Sequence, residues 1–250
     1  MTLYEREDFD MIGYNVAEAQ KLIDSIVATY NQMSSKIGQE WPAFTQTMQT
    51  EWVGPDQVNM QNIIAKRLIE LHENCRVTVQ QTANNLVELE KNWRRFQQDN
   101  KIDGSVDVSS IRELDAPGNL SSNIRESVND NFSKTFTEGQ NLGLTNGVSS
   151  AQNIQNKATE FANAVSSYVK QIYNEIESSK AFFGEQQEAG IKSYLDKIGE
   201  GLGKYLTCFK DLNDALTNLA GQSYSQSAQD VGTQYSSANA DINLNNNNLS

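Results

Sequence analysis

The ten residues QTEWVGPDQV, positions 49–58, decide how this chain folds. On both sides of them apolar residues recur at helical spacing, and Gly54 and Pro55 interrupt that pattern. Glycine tolerates a positive φ and proline has no N–H to donate, so the pair ends one helix and starts another. Proline costs nothing at the first position of a helix, where the amide would lack an intrahelical partner anyway. Asp56 then falls near the positive end of the new helix, a favourable place for a carboxylate. The segment reads as a tight turn. Turn chemistry accounts for Gly54 and Pro55 but leaves Trp52 without a role.

Upstream of the turn, Ile12, Val16, Ala19, Ile23, Ile26, Tyr30, Met33 and Ile37 follow one another at alternating spacings of four and three. That is the seam of a coiled-coil-type helix. The register slips by one residue at Trp41, Phe44 and Met48, and Pro42 lies at the slip, so a kink or a short break is expected there. Downstream, a stripe runs through Met60, Ile64, Leu68, Leu71, Cys75, Val79, Thr82, Leu86, Leu89, Trp93 and Phe96 at the period of a straight helix. Residues 1–100 therefore read as one long helical hairpin.

Residues 101–147 are rich in Asp, Ser, Asn and Gly and read as a polar linker. Short helices are expected within it: Ser110 and Glu113 have capping-box spacing, and Ile124, Val128, Phe132 and Phe136 form a one-sided face. A third stripe follows from Ile154 through Phe161, Val165, Tyr168, Ile172 and Ile176 to Phe183. A fourth runs from Ile191 through Leu195, Ile198, Leu202, Tyr205, Phe209, Leu212 and Leu216 to Leu219. Together they make a second hairpin over 148–222. Gly199, Gly201 and Gly203 weaken the fourth helix by up to about 1 kcal/mol each; they imply a bend or a close helix approach. The polar tail, 223–250, ends in an Asn tract and reads as disordered.

The second hairpin turns at FFGEQQ, residues 182–187, so Phe182 and Gly184 align with Trp52 and Gly54 at an offset of 130. The same offset pairs Leu68 with Ile198, Val79 with Phe209, Leu86 with Leu216 and Leu89 with Leu219. A single hairpin covers only part of its apolar stripe, so two repeats sharing one core are expected. The predicted fold is all-α: long antiparallel hairpins forming a four-helix bundle. Its turn motif is Trp52, Gly54 and Pro55 with Phe182 and Gly184. Its helix-packing interface is Ile23, Ile26, Tyr30, Leu68, Leu71, Leu86, Leu89, Phe209 and Leu216.

Composition narrows function. The net charge is −12, from 32 acidic and 20 basic residues. An acidic chain is a poor match for nucleic acid, whose phosphates need a basic surface, and membrane contact is not expected either. No apolar run approaches the roughly 20 residues that span a bilayer. The first residues, MTLYEREDFDMIGY, carry acids where a general secretory signal peptide needs a basic region and an apolar core. Cys75 and Cys208 fall on apolar stripes and read as buried free thiols. With one histidine, His72, and no CxxC pair, no metal or cofactor site is expected. No phosphate loop, HExxH or GxSxG is present, and the acids lie on polar helix faces, so no catalytic residues are expected. The alternating Gly199, Gly201 and Gly203 follow no strand, which removes a dinucleotide reading.

A hundred-residue hairpin with Trp52, Val53 and Gly54 at its midpoint resembles the WXG-motif, ESAT-six-like family of type VII secretion substrates. The resemblance covers residues 1–100 and, less closely, 148–222, with Phe182 in the tryptophan's place. It implies that the glycine makes the bend and that Trp52 closes the apolar seam where the helices part. It also implies a non-enzymatic protein secreted by, or coupled to, a type VII (ESX-like) system, cytoplasmic before export and then secreted or at the cell surface. Its partners would be proteins: another helical hairpin protein, a secretion ATPase or a second copy. The chain departs from the family in its tandem length and in its export signal. Tyr224 and Tyr235 have Ala228 and Asn239, not acids, four residues on. Tyr173 with Glu177 fits that spacing inside a helix, where it reads as a solvated acid. Tyr4 with Asp8 and Tyr14 with Glu18 fit it at the wrong end. The alternatives are a helical pore-forming toxin subunit, which would ordinarily carry a long uncharged apolar hairpin, and an intracellular coiled-coil scaffold.

Overall fold

The computed structural model describes residues 15–100, 124 and 143–221. The expectations for Ser110 and Glu113, for Val128, Phe132 and Phe136, for Tyr4 and Tyr14, and for the tail 223–250 lie outside the described residues. The chain is all-α. The described residues form two long helical hairpins, with one short β bridge between them.

Helix α1 spans Val16–Glu51 and α2 spans Pro55–Asp99, with the two-residue strand β1, Trp52–Val53, between them. Strand β2, Gly143–Leu144, precedes α3, Val148–Ser178. A 3-10 turn, Ser179–Phe182, then leads into α4, Glu185–Gly221. Asn15 caps α1: its side-chain oxygen accepts the Glu18 N–H at 3.1 Å, satisfying one of the unpaired donors at the helix start. Pro55 opens α2, as the turn chemistry requires.

Of the kink or short break expected at Pro42, the break does not occur, and α1 continues through the proline. The missing proline N–H and the ring clash cost about 3 kcal/mol. Trp41, Phe44 and Met48 on either side are all fully buried, and burial of one such side chain alone returns about 1.5–3 kcal/mol. The one-residue slip in the stripe rotates the apolar face without interrupting the helix.

The described chain clusters into two compact units, each containing a stretch of every helix. Of the described residues, the first comprises 15–33, 72–100 and 167–200. Ile23, Ile26, Tyr30, Val79, Leu86, Ile172, Ile176 and Leu195 are buried in its core. Tyr30 stacks on His72, with ring centroids 5.2 Å apart. Glu175 on α3 accepts hydrogen bonds from Ser25 (2.8 Å) and Thr29 (3.1 Å) on α1. The second unit comprises the described residues 34–71, 124, 143–166 and 201–221. An aromatic core lies here, with Phe44 stacked on Phe161 (5.5 Å) and Phe209 edge-on to Tyr205 (5.0 Å).

Pairings inside the second unit fix the direction of the hairpins. Glu40 meets Lys157 at 3.5 Å, whereas Glu51, later in α1, meets Ser150 and Asn153, earlier in α3. On the other side, Gln155 reaches the Asn213 carbonyl and Thr217. This unit thus holds the turn of the first hairpin together with the open end of the second. The first unit holds the reverse: the start of α1, the end of α2 and the 179–184 turn. The hairpins are antiparallel to one another.

One expected interface residue is displaced. Leu89 is only half-buried, as is Trp93, and Phe96 is 48% exposed. Beyond Leu86 the buried face passes instead through Val87 and Glu90. The Glu90 carboxylate is held there by Arg94 at 2.7 Å. Trp93 and Phe96 stack on each other at 5.5 Å.

Of the three glycines read as a bend or a close helix approach, Gly201 is buried, but Gly199 and Gly203 are not sites of close approach. Both are exposed, and a Cβ built on either would meet nothing within 4 Å. Replacing each by alanine should therefore stabilise the protein by about 0.5–1 kcal/mol, because the helix interior loses a flexible residue and gains no clash. Urea midpoints of the single and double variants measure this. A lowered midpoint would mean that something other than solvent covers this face.

Candidate functional site at the aromatic turn

Trp52 is 1% exposed and belongs to β1. It pairs antiparallel with Leu144, and Val53 pairs with Gly143. The last carbonyls of α1, which no later helical turn can satisfy, are taken up by the same incoming segment. Thr145 N–H donates to the Glu51 carbonyl and Thr145 Oγ1 to the Thr50 carbonyl, both at 2.9 Å. Gly54 bends the chain at φ 137° and Gly143 enters the bridge at φ 102°, values that exclude ordinary side chains. Trp52 thus lies beneath a strap, residues 143–145, that crosses the hairpin turn.

A second set of bonds ties the strap to α3. Ser150 Oγ accepts the Asn146 N–H at 2.9 Å and donates to the Glu51 carboxylate, which also accepts from Asn153 Nδ2 at 3.0 Å. These two donors hold the Glu51 carboxyl below its usual range. A carboxylate at the C-terminal end of α1 is disfavoured by that helix's dipole but favoured by the N-terminus of α3. Sequence reasoning missed this arrangement. Its only trace is the polar TNGVSS run, which does not reveal what it meets.

The residues after the bend behave differently from expectation. Asp56 was expected to gain from the helix end; it is instead fully buried, and neither carboxylate oxygen has a partner among the described residues. Burial pushes its pKa up to about 7. Gln57, Asn59, Gln61 and Asn62 are buried beside it in the first turns of α2. The Trp52 indole N–H is likewise without an acceptor among the described residues, so this side chain acts there through packing alone.

The second turn is not a copy of the first. Phe182 is half-buried, and Gly184 is not among the positive-φ glycines. The Gly184 carbonyl starts α4 by accepting the N–H groups of Gln187 and Glu188, each at 3.0 Å. The helices keep the repeat better than the turns do: Leu68 and Ile198, Val79 and Phe209, and Leu86 and Leu216 are buried in each pair, while Leu89 and Leu219 are both intermediate. Of the expected interface, Ile23, Ile26, Tyr30, Leu68, Leu71, Leu86, Phe209 and Leu216 are buried.

Reactive groups are muffled by the core. Burial lifts the Cys75 and Cys208 thiols up to about 12, and both are free. Burial lowers His72 to about 4, leaving it neutral against Tyr30. Tyr173 is half-buried in α3 and Glu177 pairs with Lys180 one turn on. Among the described residues no group of three or more His, Cys, Asp or Glu is placed to hold a metal ion, and no helix is long and apolar enough to cross a membrane. What the arrangement offers is a buried aromatic turn, a strap over it and long polar helix faces. No protein-family model, curated protein or solved structure matches this chain.

Proposed function

We propose that the protein is a non-enzymatic helical interaction protein, secreted by or coupled to a type VII secretion system, and that it acts by helix–helix contact with a partner protein. The observation that carries this reading is Trp52 buried at the bend of a long hairpin, with Gly54 supplying a positive φ two residues later. That pairing is what the resemblance to WXG-motif substrates requires of the two residues. The partner is a second hairpin protein, a secretion ATPase or a second copy, and the protein is cytoplasmic before export.

The test is a supernatant blot of cells with and without a functional type VII ATPase. Appearance in the medium only when the ATPase works is the expected result. Retention in the cytoplasm of both strains would replace the reading with an intracellular coiled-coil scaffold. Release of dye from liposomes by the purified protein would replace it with a pore-forming subunit.

A further inference from the structure

Asn146 and Gly147 form the one Asn-Gly pair in the sequence. They occupy the turn between β2 and α3, with Asn146 exposed. Asn146 uses its main-chain N–H to bond Ser150 Oγ at 2.9 Å, but among the described residues its side-chain amide makes no hydrogen bond. The Gly147 N–H reaches the Leu144 carbonyl at only 3.5 Å, well beyond the usual 2.9–3.0 Å of a firm amide bond. Gly147 has no Cβ to hinder ring closure, and it takes φ 54°.

We propose that Asn146 is a site of spontaneous covalent conversion, and that conversion loosens the strap over the aromatic turn. The Gly147 backbone nitrogen loses its proton to solvent hydroxide and attacks Asn146 Cγ. The bond from Cγ to the side-chain nitrogen breaks; that nitrogen takes a proton from water, regenerating hydroxide, and leaves as ammonia, giving a five-membered succinimide. Water then adds to one of the two ring carbonyls and opens the ring. One opening leaves aspartate at position 146. The other leaves isoaspartate, in which the main chain runs through the former side chain and is one methylene longer.

The consequence follows from what lies on either side. The strap is held by Thr145 on Glu51 and Thr50, and by Asn146 on Ser150. Ala151 N–H bonds back to the Gly147 carbonyl at 3.2 Å, which anchors the far side of the turn in α3. An added methylene between two anchored ends breaks their register. Either product also adds a negative charge at the residue whose main-chain N–H bonds Ser150 Oγ, the same hydroxyl that donates to the Glu51 carboxylate.

The experiment ages the full chain in mildly alkaline buffer, with a parallel sample held unfolded in urea, and maps the peptide containing 146 and 147 by mass spectrometry and isoaspartyl methyltransferase labelling. The expected result is conversion in the folded protein within about tenfold of the unfolded rate, since an exposed turn opens at a cost below about 1.4 kcal/mol. Asn146→Gln should abolish it. Slower conversion than that, or conversion first at another asparagine, overturns the site. Hydrogen exchange of the Thr145 amide should then be faster in the aged protein than in aged N146Q. Equal protection overturns the link to the strap.

Discussion

Trp52→Ala should lower the unfolding free energy by about 3–5 kcal/mol, the range for deleting a fully buried large aromatic. The side chain is 1% exposed and its backbone is fixed by the bridge to Leu144 and by Gly54 at φ 137°, so the surroundings have little freedom to close the cavity. Trp52→Phe should cost only roughly 1–2 kcal/mol, because the indole N–H it removes has no acceptor among the described residues. Chemical unfolding of the three proteins measures both. An alanine variant as stable as the parent would end the packing role, and lost export at unchanged stability would make Trp52 a recognition residue instead.

The second large effect is a pH dependence set by two buried groups of opposite sign. Asp56 rises from 3.8 to about 7 in the folded chain because burial disfavours its charge. The folded state therefore holds a proton that the unfolded state has released, and the stability linked to Asp56 is present below the unfolded pKa and lost as pH rises through about 7. A shift of that size corresponds to about 4 kcal/mol. His72 falls from 6.5 to about 4, chiefly by burial. Its share is present above the unfolded pKa and lost as pH falls towards about 4, on the order of 3 kcal/mol. Through the mildly acidic range the two offset each other. Asp56→Asn removes the first, so the variant should gain about 2–4 kcal/mol near pH 8 and show a steeper loss of stability on acidification. Urea unfolding of both proteins across this range checks it. Parallel pH profiles would mean that Asp56 is charged in the folded protein.

Legibility in the sequence followed the range of the interaction. The seam from Val16 to Ile37 and the GP turn are local patterns, and both appear in the structure as α1 and the start of α2. Pro42 does not break α1 because its local cost is outweighed by Trp41, Phe44 and Met48, whose burial depends on other helices. Leu89 misled because two faces of α2 carry apolar residues there, and only packing chooses between them. Asp56 illustrates the same limit at the site: helix position argues for a comfortable carboxylate, while burial by the rest of the fold decides its charge. The bridge of Trp52–Val53 with Gly143–Leu144 had no periodicity to betray it, being two residues long on each side.

The antiparallel placement of the hairpins also sets an order of assembly. Residues of α1 and α2 near the bend, such as Gln49 and Gln61, meet across a few residues of chain. Trp52 meets Leu144 only after the intervening segment has closed, and Ser25 meets Glu175 across an even longer loop. Closing a long loop costs entropy before any contact rewards it. Each hairpin can therefore zip from its own turn, with the strap and the α1–α3 contacts forming afterwards. Contacts made late in folding act mainly on how long the native state lasts. The small bridge over the tryptophan thus works as a latch: what stability it adds acts on the rate at which the chain unfolds rather than on the speed with which it finds its fold.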